Sequence, residues 1–260
     1  MLTIDLNSDL GESFGHFKVG NDDEVLKYVT SANIACGFHA GDPITMEKTV
    51  EKALENNVAI GAHPGFMDLM GFGRRNLHVS PEELKAYIIY QVSALQGFVK
   101  ALGGKMQHVK PHGALYNMAA EDYELARAIA EGVYTVDSDL ILMGLAGGEL
   151  IKAGKDVGLR TASEVFADRT YTREGKLVSR SQAGAVIHDK EKAAEQILTI
   201  IKTGKVISID SHQIPIEADS ICVHGDNEEA VQLVKYLKER LEHENIKIQS
   251  LNRKLAEMKY

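Results

Sequence analysis

The sequence predicts an α/β fold, a single closed (β/α) barrel of TIM type that takes in residues 1–260 as one domain. Short apolar runs rich in β-branched residues alternate with longer stretches of helical period, the pattern of a parallel sheet covered by helices. The alternation repeats some seven times without a linker, a low-complexity segment or a break in composition. An open doubly wound sheet fits the alternation too, but an unbroken series of this length favours closure.

The strands are expected at 2–7 (LTIDLN), 33–37 (NIACG), 58–62 (VAIGA), 107–111 (QHVKP), 139–144 (DLILMG), 159–164 (LRTASE) and 219–223 (DSICV). The helices carry their own punctuation. Asp42-Pro43 reads as N-cap and first helical residue of a helix ending near Asn56. Ser80-Pro81-Glu82-Glu83 is a capping box. Leu84, Ile88, Leu95, Phe98, Val99 and Leu102 then mark one apolar face, and Gly103-Gly104 stops that helix. Asp226, with Glu229 three residues later, caps a helix to about Glu242, and further helices fall near 121–132 and 190–202.

Composition narrows the function. Hydrophobic residues make up 44% and charged residues 25% of 260, ordinary values for a chain with a full core. A net charge of −8 with no Lys/Arg cluster argues against nucleic-acid binding. No apolar stretch reaches the roughly 18 residues that span a bilayer, and the N-terminus lacks the cationic start of a signal peptide. A cytoplasmic protein is expected, with Cys36 and Cys222 buried and reduced. Met67 and Met70 read as packing residues.

Strand parity collects the chemistry. Asp5, Asn7 and Asp9 share one face of the first strand, with Ile4 and Leu6 on the other. By the same alternation Asn33, Ala35, Gly37 and His39 align, as do Gly61 with His63, and His108 with Lys110 and His112. Glu164 aligns with Asp168 if the chain stays extended past Phe166, and Cys222 aligns with His224 and Asp226. Singly, each is better explained by a helix cap or a satisfied hydrogen bond, and the nearby Gly11, Gly37, Gly61, Gly65, Gly113 and Gly225 by tight turns at positive φ. Together they put His39, His63, His112 and His224, a lysine and several carboxylates at corresponding strand ends, which in a barrel face one pocket. Zinc-helix, nucleophile-elbow and dinucleotide motifs are absent from the sequence. Gly148 to Lys155 approaches a phosphate loop, but its glycines are one residue too far apart and Asp156 replaces the Ser or Thr. The histidines with Asp9 and Glu164 suit a divalent cation such as magnesium or zinc by ligand type, without a diagnostic spacing.

Six ordered blocks resemble the LamB/YcsF family over essentially the whole chain: DLNSDLGESFG (5–15), NIACGFHAGD (33–42), GAHPGFMDLMGFGRR (61–75), VKPHGALYN (109–117), EVFADRTY (164–171) and CVHGD (222–226). The resemblance implies a seven-stranded barrel similar to polysaccharide deacetylases and glycoside-hydrolase-like barrels. It implies hydrolysis of 5-oxo-L-proline to L-glutamate coupled to ATP hydrolysis, in a complex with 5-oxoprolinase subunits B and C.

A lactam amide is a poor electrophile with a poor leaving group, so such a site needs a base, an acid and cations for phosphoryl oxygens. Asp9 or Glu164 is the expected base, and His63 or His112 the acid or oxyanion partner. Lys110, Arg74 and Arg169 are expected to hold the substrate carboxylate or the phosphoryl group. Asn7, Glu12, Asp168 and Asp226 are expected as substrate contacts, with His39 and His224 positioning substrate or binding metal. Exchanging Lys110 for Met is expected to remove turnover and leave the fold intact. A metal-dependent deacetylase or amidohydrolase acting without ATP, and a non-catalytic substrate-binding subunit, are the competing readings.

Overall fold

The seven expected strands form and pair in parallel around a closed ring. The computed structural model describes residues 2–223 and 228–252. Its barrel strands are β1 (Thr3–Leu10), β2 (Ser31–Ala35), β3 (Ala59–His63), β4 (Met106–Val109), β5 (Ile141–Leu145), β6 (Arg160–Phe166) and, after a two-stranded hairpin, β9 (Ser220–Cys222). The order is β1-β2-β3-β4-β5-β6-β9, and β9 pairs back onto β1 with Asp5 opposite Ser220 and Asn7 opposite Cys222. The hairpin is β7 (Lys205–Ile207) with β8 (Gln213–Pro215), antiparallel and separate from the barrel sheet. A short β10 (Lys247–Ile248) extends the start of β1.

The covering helices are α1 (Asp22–Val25), α2 (Pro43–Glu55), α3 (Pro81–Ala101), α4 (Gly113–Ala119), α5 (Tyr123–Val136), α6 (Glu149–Asp156), α7 (Lys190–Thr203) and α8 (Glu228–His243). Asp42 caps α2, accepting from the amides of Ile44 and Thr45, and Ser80 caps α3 by accepting from Glu83. The rejected phosphate loop is the helix α6, entered from Gly148. The expected cap Asp226 lies outside the described residues.

Parity sorts the two faces of the ring as alternation requires. Ile4, Leu6 and Leu10 point outward and join Val50, Leu84, Ile88 and Leu237 in the main apolar core between sheet and helices. On β1 to β4 the inward residues are mostly polar, while Ile141 and Met143 of β5 and Ala162 of β6 form a small apolar cluster with Leu251. Asp9 pairs in register with Asn33, Asn33 with Gly61, and Gly61 with His108, so these four form one layer across the lumen. Gly61 has no positive φ; a Cβ there would overlap the His108 ring. Its role is to leave space, not to make the expected turn. Both cysteines are buried and free. Met67 and Met70 are 58% and 92% exposed, against the expectation that they pack. Met67 precedes and Met70 lies within a 3-10 turn (Leu69–Gly71) after β3, where no helical or strand period carries them inward.

Candidate active site

The strands end in a cavity of about 470 Å³ lined by Asp9, Glu12, His63, Arg74, Lys110 and His112, with Tyr116, Phe166, Arg169 and Arg180 among its other walls. Its size suits a small ligand. Lys110, just past β4, stands at the centre and is 2% exposed. Its Nζ donates to Asp9 Oδ1 at 2.9 Å and lies 2.9 Å from Glu164 Oε1 and 3.2 Å from Cys222 Sγ. Burial alone would lower the ammonium's pKa, but Asp9 and Glu164 are among the groups that outweigh it and hold the pKa well above the usual lysine range. Burial drives the Cys222 thiol up, so it is neutral beside the lysine.

A hydrogen-bonded layer beneath the cavity fixes Asp9. Asn33 Nδ2 donates to Asp9 Oδ1 at 2.8 Å and to Asn7 Oδ1 at 2.7 Å, while its Oδ1 accepts from His108 Nε2 at 2.7 Å. Asn7 Nδ2 donates to Ser220 Oγ at 2.7 Å, and Ser220 in turn donates to the buried Asp5. Each polar group along this chain of bonds therefore aims the next one up. Burial, then Lys110, lowers the His108 pKa to about 3, which keeps that ring neutral.

Two imidazoles, His63 and His112, form the opposite wall, and a third, His39, lies behind them. His63, ending β3, has Nε2 3.3 Å from Asp9 Oδ2 and 2.9 Å from His112 Nδ1. His112 stacks on His39 with ring centroids 3.7 Å apart and planes 5° from parallel. Glu12 Oε1 lies 3.5 Å from His112 Nδ1 and 3.6 Å from His39 Nε2. Burial lowers the pKa of His39 well below its usual value and that of His112 to about 3. Glu12, His39, His63 and His112 offer ligand atoms all within 4.8 Å of one another and could hold a metal ion.

The expected residues thus divide. Asp9, Glu12, His63, His112, Lys110, Arg74 and Arg169 line the cavity. Arg169, however, turns its guanidinium to the carbonyls of Val178 at 2.6 Å and Ala185 at 3.4 Å, which orders the 169–186 loop. Glu164 and Asn7 are fully buried below Lys110 and do not line the cavity. His39 is covered by His112. The chain bends at Ala167–Asp168, so Asp168 leaves the strand and does not line the cavity; its carbonyl accepts from Ile187. His224 and Asp226 lie outside the described residues. Parity did not single out Tyr116, because it sits in α4, a helix of 7 residues with too few turns to show a period. Its phenol pKa is raised by burial and then by Glu164.

Fold and site together define the class: a seven-stranded parallel (β/α) barrel with a carboxylate–lysine–imidazole centre at the C-terminal rim of its strands. A T48 deacetylase solved with substrate shares that fold, at TM-score 0.51 and 15% identity over 98% of this chain and 91% of that one. The chain belongs to the LamB/YcsF family, whose profile matches residues 4–256. It is 58% identical over 252 residues to the 5-oxoprolinase A subunit of Alkaliphilus metalliredigens, covering 97% of this chain and 98% of that protein. The crystal structure of a lactam utilization protein from Thermus thermophilus superposes with TM-score 0.91 at 43% identity, over 95% of this chain and 99% of that one.

Proposed function

We propose that this chain is the ring-opening subunit of a cytoplasmic 5-oxoprolinase, acting as a single catalytic domain that hydrolyses the amide of 5-oxo-L-proline to give L-glutamate. The observation that carries this reading is the 58% identity, end to end, with a protein named as the A subunit of 5-oxoprolinase. The site's chemistry supports it. Asp9, partly open to the cavity with one oxygen held by Lys110 and Asn33, suits the base that takes a proton from the attacking water. Glu164, the other expected base, is sealed from the cavity and serves as counter-ion to Lys110.

Lys110, which lines the cavity, supplies fixed positive charge to the oxygen of the reacting carbonyl, whereas His63 and His112 give their ring hydrogens to the carbonyls of Lys110 and Phe72 and so offer lone pairs, not protons. Arg74, held over the Phe72 ring at 5.0 Å from its centroid, suits the substrate carboxylate. ATP coupling is a property of the proposed assembly with subunits B and C. The γ-phosphoryl passes from ATP to the lactam oxygen with release of ADP. One water adds at that carbon and the C–N bond breaks, the nitrogen taking up a proton, which leaves an acyl phosphate, and a second water displaces phosphate to give the glutamate carboxylate. A divalent cation at the imidazole wall would polarise the same carbonyl.

The test is reconstitution with subunits B and C, following glutamate release with and without ATP. Asp9→Asn keeps the shape of the side chain and should lower kcat by about 10²- to 10⁴-fold. Full activity in that variant would remove Asp9 as base. The histidine-rich wall favours one alternative, metal-dependent amide hydrolysis without ATP, which would appear as chelator-sensitive turnover by the isolated chain. Binding of 5-oxoproline with no dependence of turnover on Asp9 or Lys110 would instead mark a substrate-binding subunit.

A further inference from the structure

We propose that His39, His63 and His112, with the carboxylate of Glu12, form a binding site for one first-row divalent cation of the zinc type. The argument starts from where the ring protons must be. His63 Nδ1 lies 2.7 Å from the carbonyl oxygen of Lys110. A carbonyl only accepts, so Nδ1 carries the hydrogen and the lone pair of the neutral ring is on Nε2. His112 Nε2 lies 2.8 Å from the carbonyl oxygen of Phe72, which puts its lone pair on Nδ1. Those two lone-pair atoms face each other at 2.9 Å. Two acceptors at that distance repel unless a cation lies between or beside them.

The other groups fit the same cation. His39 is fully buried, and neither of its ring nitrogens has a hydrogen-bond partner. Its Nε2 is the atom facing Glu12, 3.6 Å away, and the same Glu12 oxygen is 3.5 Å from His112 Nδ1. A Cβ on Gly65 would come within 2.6 Å of His39 Nδ1, and one on Gly73 within 2.7 Å of both His39 and His112. The stacked pair is therefore seated against bare backbone that no other residue could supply. Imidazoles that donate their far N–H to a carbonyl are oriented as metal-ligating histidines usually are. Three nitrogens with one carboxylate suit zinc and its first-row neighbours, whereas magnesium demands oxygen ligands. The remaining cation able to relieve the His63–His112 contact is a proton shared by the two rings, and the experiment separates the two.

The site shares its cavity with the proposed ring-opening centre, but the test reads metal binding and needs no substrate, so either reading can fail alone. The full chain is stripped with chelator, dialysed, and titrated with zinc chloride by calorimetry and with cobalt(II) by visible absorption. One cation per chain is expected, with the intense d–d bands of four-coordinate cobalt, and excess magnesium should not displace it. His39→Ala and His112→Ala should each weaken zinc binding by more than about 100-fold, beyond the loss seen when only an outer hydrogen bond is removed. His212→Ala, at an exposed histidine outside the cavity, should bind as the wild type does. The cobalt spectrum of the wild type needs no variant to fold. Absence of zinc and cobalt binding, binding that survives both cavity variants, or ¹⁵N spectra of the zinc-treated protein showing a proton shared by His63 and His112 would overturn the proposal.

Discussion

Lys110 carries a full charge at 2% exposure because carboxylates stand on two sides of it, with Asp9 toward the cavity and Glu164 toward the lumen. That arrangement alters the expectation that Lys110→Met leaves the fold intact. Removing the ammonium strands the Glu164 carboxylate in a site closed to solvent, and the loss should reach about 3–5 kcal/mol. Lys110→Met combined with Glu164→Gln removes both charges and should regain most of that loss, read from urea midpoints of the single and double variants. A single variant as stable as the wild type would show that Glu164 is not a buried charge. Parity in the sequence placed Lys110, Asp9 and Glu164 on inward faces, but it could not tell which carboxylate meets substrate. That distinction is a matter of depth in the lumen, and depth depends on the stagger of strands around the ring.

At the scale of elements, the joints between loops and helices decide how firmly the rim is held. Asp42 does more than cap α2. One oxygen accepts from the amides of Ile44 and Thr45 at 2.9 and 3.0 Å, and the other accepts from Gly15 at 2.9 Å, tying the β1–α1 loop to the helix. The Gly15 amide bond is the first cause of a carboxyl pKa below the usual value. Asp42→Ala should cost about 0.5–2 kcal/mol at neutral pH. A depressed folded-state pKa stabilises above the unfolded value of 3.8 and ceases to do so as pH falls through the folded value. The gap between wild type and variant should therefore close in acid, measured by thermal unfolding between neutral pH and the acid limit of the fold; a constant gap would mean that Asp42 acts by packing alone. The α2 cap was legible because Asp-Pro at a helix start is a local signal. The short α4 and the β7–β8 hairpin were not, since neither is long enough to show a period.

For the molecule as a whole, the candidate ligands are not spread evenly around the ring. Glu12 follows β1, His39 follows β2, His63 ends β3 and His112 follows β4, so four consecutive units of one half-barrel contribute and the units of β5, β6 and β9 contribute none among the described residues. This asymmetry was not legible in the order of the histidines, since His224, which lies outside the described residues, was expected to join them, and their convergence required closure of β9 onto β1 and the bends after each strand, which alternation alone does not specify. A cation held by the four would link those units only in the native state and would stabilise that half by mass action. Hydrogen exchange should show the consequence locally. Zinc at saturation should slow exchange in segments 11–17, 36–42, 64–75 and 110–114, while the strands β5, β6 and β9 change little, because their opening breaks no ligand bond. Protection rising equally in both halves would indicate that the cation stabilises the barrel by some route other than these four side chains, and protection confined to α7 or α8 would locate it elsewhere on the fold.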